Sequence, residues 1–191
     1  MEELILASAS PRRREILTLA GVPFSVCPAE DGDVPAGLTN ERRVQALARG
    51  KAAAVAGRFP GRLILGADTM VELDGQMLGK PRTADEAVEM LLRLQGREHR
   101  VLTGVWLIRA DERGGIARED GFTDAAAVRF FPMSAEEARA YVATGEPMDK
   151  AGAYGIQGYG MRFVEGICGD FYTVMGLPGG KTLRFLHDFA K

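Results

Sequence analysis

Short apolar runs alternate with helical stripes along this chain. Leu4–Ala7 is a continuous apolar run of the kind a buried strand needs, and Arg12–Ala20 follows as a helix closed by Gly21. Phe24–Pro28 reads as a second strand, and Asp31–Thr39, with its Gly, Pro and Asp, as a loop. Asn40 can cap a helix running to about Ala56. Leu63–Ala67 is again a buried-type strand, and Met70–Leu78 a hairpin turning at Asp74-Gly75. Thr83-x-x-Glu86 and Ser134-x-x-Glu137 are capping-box patterns that open helices to about Leu94 and Ala143. Val101–Arg109 and Thr123–Phe131 read as strands joined by a Gly-rich connection. Lys150–Gly160 has neither period. Arg162–Glu165 and Phe171–Met175 read as short strands before a C-terminal helix, Lys181–Phe189. Mixed βα units and antiparallel pieces predict an α/β fold: a mixed sheet flanked by helices.

The chain has 191 residues, enough for one large domain or two lobes sharing a core, and it reads as a single domain over 1–191. Its net charge of -2 gives no global basic field, so stable nucleic-acid binding is not expected and any phosphate site must be local. Cys27 and Cys168 stand in no metal-binding spacing and read as free thiols. The N-terminal apolar run is too short for a signal peptide, and no run is long enough to span a membrane. These features read as cytoplasmic.

The chemistry begins where the first strand meets the first helix. Ser8-Ala-Ser-Pro-Arg-Arg13 places hydroxyls, helix-start N–H groups and guanidinium forks at one point. Ser10 suits the cap and Pro11 the first helical position. Cations are disfavoured at a helix N-terminus, so arginines there suit a polyanion, most naturally phosphate. Asp68, just past the Leu63–Ala67 run, could hold a divalent ion, accept a proton from water, or close a simple turn. Lys51 falls on the same helical stripe as Val44, Leu47, Ala48, Ala52 and Val55, so it must snorkel or meet an anion. Lys80 follows the hairpin in Gly79-Lys-Pro81, and Asp31 and Asp33 lie on the loop ahead of the Lys51 helix. Gly176-Leu-Pro-Gly-Gly-Lys-Thr182 mimics a P-loop but is one residue short between its first glycine and Gly-Lys-Thr. His99 and His187 lack ligand-spaced partners and read as structural.

With Gly66-Ala-Asp-Thr69 and Gly169-Asp-Phe-Tyr-Thr-Val-Met-Gly-Leu-Pro178, the segment Asp149-Lys-Ala-Gly-Ala-Tyr-Gly-Ile-Gln-Gly158 and the corner motif resemble the Maf family of nucleoside triphosphate pyrophosphatases. The resemblance covers essentially the whole chain. It implies a long twisted mixed sheet with two lobes and a central cleft, similar to the inosine triphosphatases. It implies cleavage of a nucleoside triphosphate between the α and β phosphates. The Asp149–Gly158 form resembles the dTTP/UTP branch rather than the 7-methyl-GTP branch. Asp68 is then the proton acceptor, and Arg12, Thr69 and Gln157 fall at specificity positions. Ser8, Arg12, Arg13, Lys51 and Lys80 would bind phosphate, and Asp33 with Asp68 would hold Mg²⁺ or Mn²⁺. The family commonly ends its acidic loop pair in Glu, where this chain has Asp33, one methylene shorter. The Gln157 amide could pair with N3–H and O4 of uracil or thymine, which cytosine inverts. The resemblance implies a homodimer, though no heptad or surface stripe shows one. It also leaves two alternatives: a pyrophosphatase for another modified nucleotide, or a non-catalytic nucleotide-binding regulator of septum formation.

Overall fold

A computed structural model describes residues 2–30, 32 and 34–189. Its strands are β1 (Leu4–Leu6), β2 (Phe24–Val26), β3 (Leu63–Leu73), β4 (Gln76–Leu78), β5 (Glu98–Ala110), β6 (Ile116–Phe130) and β7 (Val164–Cys168). Its helices are α1 (Pro11–Leu19), α2 (Asn40–Ala56), α3 (Ala84–Leu94), α4 (Ala135–Val142), α5 (Phe171–Met175) and α6 (Gly179–Phe189). The strands form a seven-stranded sheet in the order β2-β1-β3-β5-β6-β7, with β4 paired to β3. β1 is parallel to both β2 and β3, while β4 and β7 pair antiparallel with β3 and β6. The expected mixed α/β sheet flanked by helices is therefore present. Among the described residues, no helix is long and apolar enough to cross a membrane.

The chain divides into two compact units. One contains the described residues of Met1–Asp68, Thr103–Asp124 and Gly176–Lys191. Its core includes Ile5, Ala7, Val55, Ile64 and Ile108. Helix α2 lies against the backbone of its sheet. A Cβ on Gly66 would fall 2.0 Å from the Ala48 carbonyl oxygen, and one on Gly104 would fall 2.4 Å from that of Val44. No side chain fits at either position, so two glycines set how deeply the helix sits.

The other unit contains Thr69–Leu102 and Ala125–Met175. Its core gathers Leu91 and Leu94 of α3, Tyr141 and Val142 of α4, and Phe130, Tyr154 and Phe163. His99 lies within it. Its Nε2 is 2.8 Å from the Tyr154 hydroxyl, and its ring meets Phe130 edge-on at 4.9 Å. The structural reading of His99 holds.

Several local expectations change. Helix α2 is capped by Thr39, not Asn40: the Thr39 hydroxyl accepts from the Arg42 N–H at 3.4 Å. Ser10 occupies the cap of α1, but its hydroxyl makes no capping bond. The Ser134 capping box is complete. At Thr83 only half forms, because Glu86 accepts from the Arg82 N–H at 2.7 Å instead of from Thr83. β5 and β6 run well beyond their apolar stretches. Their extensions carry ion pairs, Arg100–Glu72 across to β3 at 2.9 Å and Glu119–Arg49 to α2 at 2.7 Å, which leave no apolar run to read. Residues 158–163 form a 3-10 turn, so β7 begins only at Val164. Phe171–Met175 is a helix, not a strand. Asp170 starts it by accepting from the Tyr172 N–H through its side chain and from the Thr173 N–H through its carbonyl.

Burial depresses the His99 pKa from 6.5 to about 4. Between those values the unfolded chain binds a proton that the folded chain refuses. Stability is therefore complete at neutral pH and is lost as pH falls from about 6.5 to about 4, by roughly 3 kcal/mol. Thermal unfolding from pH 7 to pH 4 should show a shallower loss in His99→Phe than in the native chain. Parallel slopes would remove His99 as the source.

Candidate active site

The first group of site residues lies where the parallel pairing of β1 with β3 ends. The β1–β3 register ends at Leu6 opposite Leu65, and the β3–β4 pairing starts only at Val71. Asp68 lies between these two stretches. It sits within β3 rather than just past a strand end, as the apolar run alone suggests, because β4 carries the strand on. It still occupies the place where the parallel neighbour has turned away, the usual position for ligands in α/β sheets.

Lys51 reaches Asp68 from α2. Its Nζ donates to Asp68 Oδ1 at 2.6 Å, and only about a tenth of either side chain is exposed (11% and 10%). Of the two readings open for Lys51, meeting an anion is the one the structure bears out. Asp68 Oδ2 is buried without a hydrogen-bond partner. A buried carboxylate oxygen left bare is costly, so it marks a place where a proton donor or cation belongs.

The corner after β1 is built around a buried arginine. Arg13 Nε donates to the Gly176 carbonyl at 2.8 Å, and its Nη1 to Ser8 Oγ at 2.9 Å. The Ser10 N–H also donates to Ser8 Oγ, at 3.3 Å. A hydroxyl has two lone pairs and one hydrogen. With both lone pairs engaged, the buried Ser8 hydroxyl can only donate, which suits an anion. Arg12, on the neighbouring face of α1, is half-buried.

Thr69, Lys80 and Gln157 belong to the second unit. Lys80 is exposed, and Thr69 and Gln157 are half-buried. The Gly152 N–H donates to the Gly79 carbonyl at 3.0 Å, joining the Lys80 turn to the segment that leads to Gln157. Asp33 and Asp31, the further acidic candidates, lie outside the described residues. Among the described residues no group of three or more His, Cys, Asp or Glu could hold a metal ion. Lys181 of the P-loop-like run donates to buried Asp124, and Gly176 there follows a helix rather than a strand. Neither is P-loop geometry.

Sequence reasoning passed over Glu146 and Tyr141. Glu146 Oε1 accepts from the Tyr141 hydroxyl at 2.8 Å and from the Gly160 N–H at 3.0 Å. Its Oε2 accepts from the Tyr159 N–H at 2.8 Å, and the Tyr141 hydroxyl accepts from the Gly155 N–H at 3.1 Å. Burial opposes ionisation of Glu146. The donors from Tyr159, Tyr141 and Gly160, with Lys150 nearby, outweigh it and hold the carboxyl below its ordinary value. Burial pushes the Tyr141 hydroxyl up, so it stays protonated. The one available signal was position: an acidic residue three places before Asp149-Lys-Ala-Gly.

These motifs agree with comparison to known proteins. The family model for the Maf-like protein matches residues 3–189. A dTTP/UTP pyrophosphatase of Symbiobacterium thermophilum is 50% identical, over 100% of this chain and 95% of its own length. One from Bacillus velezensis is 47% identical, over 98% and 97%. Among solved structures, a nucleoside-triphosphatase / dITP/XTP pyrophosphatase from Mycobacterium abscessus aligns over 99% of this chain and 96% of its own, at 14% identity and a TM-score of 0.44. The chain belongs to the Maf-like family.

Breaking the buried pair tests its geometry. Lys51→Met strands the Asp68 carboxylate and should destabilise the fold by about 3–5 kcal/mol in urea unfolding. Adding Asp68→Asn should restore a large part of that loss. A Lys51→Met variant as stable as the native chain would mean that the pair is not buried in solution.

Proposed function

We propose that this chain hydrolyses dTTP and UTP to the nucleoside monophosphate and pyrophosphate, with residues 1–191 acting as one functional domain in the cytoplasm. The relatives' names support the substrate, and they are 44–50% identical over nearly all of the chain. The observation that carries the mechanism is the Lys51–Asp68 pair with its bare Oδ2. Lys51 fixes the carboxylate through one oxygen and leaves the other to take a proton from a water attacking the α-phosphorus. Both carboxylate oxygens then have a use, which accounts for a buried charge that otherwise only destabilises.

A triphosphate brings roughly four negative charges. Ser8 donates to a phosphate oxygen, with Arg13 acting behind it. Arg12, Lys51 and Lys80 supply positive charge to the phosphoryl oxygens and the leaving pyrophosphate. Thr69 and Gln157 meet the nucleoside, with Gln157 on the N3–H and O4 edge of the base. The bare Asp68 Oδ2 suits a hard cation, and Mg²⁺ in phosphate chemistry takes only one or two carboxylates beside phosphate and water. Asp68 with Asp33 would hold Mg²⁺ or Mn²⁺, which when bound supplies charge that polarises the phosphate oxygens. A homodimer is proposed from the resemblance alone.

Two measurements test this reading. The purified chain with Mg²⁺ or Mn²⁺ should convert dTTP and UTP, and not GTP or 7-methyl-GTP, to monophosphate and pyrophosphate. Nucleotide binding without any turnover would favour the regulator instead. Asp68→Asn keeps an acceptor for Lys51 but loses the base, so kcat should fall about 10²–10⁴-fold with nucleotide affinity nearly unchanged. Retained turnover would remove Asp68 from the base role.

A further inference from the structure

Gln157 lies on a segment with little regular structure, yet reading a base edge by hydrogen bonds requires its amide to be held in place. Two 3-10 turns flank it, Ala151–Ala153 and Gly158–Phe163, and neither is capped by a side chain. What holds the segment is a knot of side chains from outside it. Tyr141, on α4, takes the Gly155 N–H before Gln157. Glu146 takes the Tyr159 and Gly160 N–H groups after it, and the same carboxylate accepts the Tyr141 hydroxyl. The two ends of the loop are therefore joined through one Tyr–Glu contact.

The glycines show how tightly this knot closes. A Cβ on Gly160 would fall 2.2 Å from the Gly155 carbonyl oxygen and 2.7 Å from the Tyr141 hydroxyl. A Cβ on Gly158, whose φ is +69°, would fall 2.6 Å from Glu146 Oε2. The Lys150 stem covers Gly155, at 2.7 Å from where its Cβ would be. Backbone contact at Gly160 and the left-handed φ at Gly158 thus require glycine, while at Gly155 only the flexible Lys150 stem would have to move. Tyr141 is in turn anchored in the core, edge-on to Phe163 at 5.2 Å.

We propose that Glu146 and Tyr141 are positioning residues for base selection: by clamping the loop on both sides of Gln157, they set the alignment of its amide. This rests on the reading of Gln157 as the residue that meets the base. Glu146→Gln turns one acceptor oxygen into a donor that faces a backbone N–H, so that side of the clamp opens. Tyr141→Phe keeps the ring in the core and removes both hydroxyl contacts.

The test compares kcat/KM for UTP, dTTP and CTP in the native chain, Glu146→Gln, Tyr141→Phe and Gln157→Ala, with the Tm of each. In both clamp variants UTP-over-CTP selectivity should fall roughly tenfold, the scale of one lost hydrogen bond. The change should appear as a raised KM for UTP with kcat nearly retained, because the phosphate groups are bound elsewhere. Amide exchange over 155–160 should quicken in step. A parallel loss of activity on all three nucleotides, with selectivity unchanged, would overturn the proposal and leave Glu146 and Tyr141 as structural. Gln157→Ala separates the two layers. If it relaxes selectivity and the clamp variants do not, the clamp fails and the base reading stands. If it leaves selectivity unchanged, the base reading fails and the clamp proposal falls with it.

Discussion

Helix α2 sits directly on the backbone of the sheet, and the arrangement around Asp68 depends on that close seating. Gly66 and Gly104 make the contact possible, because a single methyl at either would collide with a carbonyl of the helix. The helix presents Val44, Ala48 and Ala52 to the sheet, and Lys51 lies on the same buried stripe. A lysine there is almost wholly withdrawn from water, so it takes the Asp68 carboxylate. The pair in turn leaves Asp68 Oδ2 bare. One steric constraint, two missing side chains, thus leads to a buried ion pair and an unpartnered carboxylate oxygen.

The two units use polar groups differently. Around Asp68 and Ser8 the hydrogen bonds are arranged so that a defined atom is left over: a carboxylate oxygen in one case, a hydroxyl hydrogen in the other. Around Gln157 every oxygen of the clamp is engaged. The Glu146 carboxylate accepts three donors, and the Tyr141 hydroxyl both donates and accepts. Groups left incomplete suit chemistry on a ligand, whereas a network in which every oxygen is tied suits holding a loop still.

Much of this was legible along the chain, and the exceptions have physical causes. Buried strands such as Leu4–Leu6 show as apolar runs, and α2 shows as a stripe with a lysine out of place. The stripe announces that Lys51 needs an anion. Its partner is a tertiary fact, seventeen residues away and brought near by glycines that look like any others. The starts of β5, before Val101, and of β6, before Thr123, are silent because charged residues paired as Arg100–Glu72 and Glu119–Arg49 leave no apolar period. Phe171–Met175 misleads, since its aromatic and β-branched residues favour a strand while Asp170 starts a helix. Glu146 is hidden for another reason: two of its donors are backbone N–H groups, which every residue but proline possesses.

Arg13 ties the first corner of the chain to nearly its last. Its guanidinium spans from Ser8 Oγ to the carbonyl of Gly176. The Ser8 hydroxyl is therefore not oriented by its neighbours in sequence alone. During synthesis the first strand and helix emerge early, but the acceptor that completes the arginine's environment comes only with the final stretch before α6. Until then the guanidinium lacks this carbonyl partner. The nascent chain thus carries this corner without its Gly176 contact until the segment 163 residues beyond Arg13 has been made.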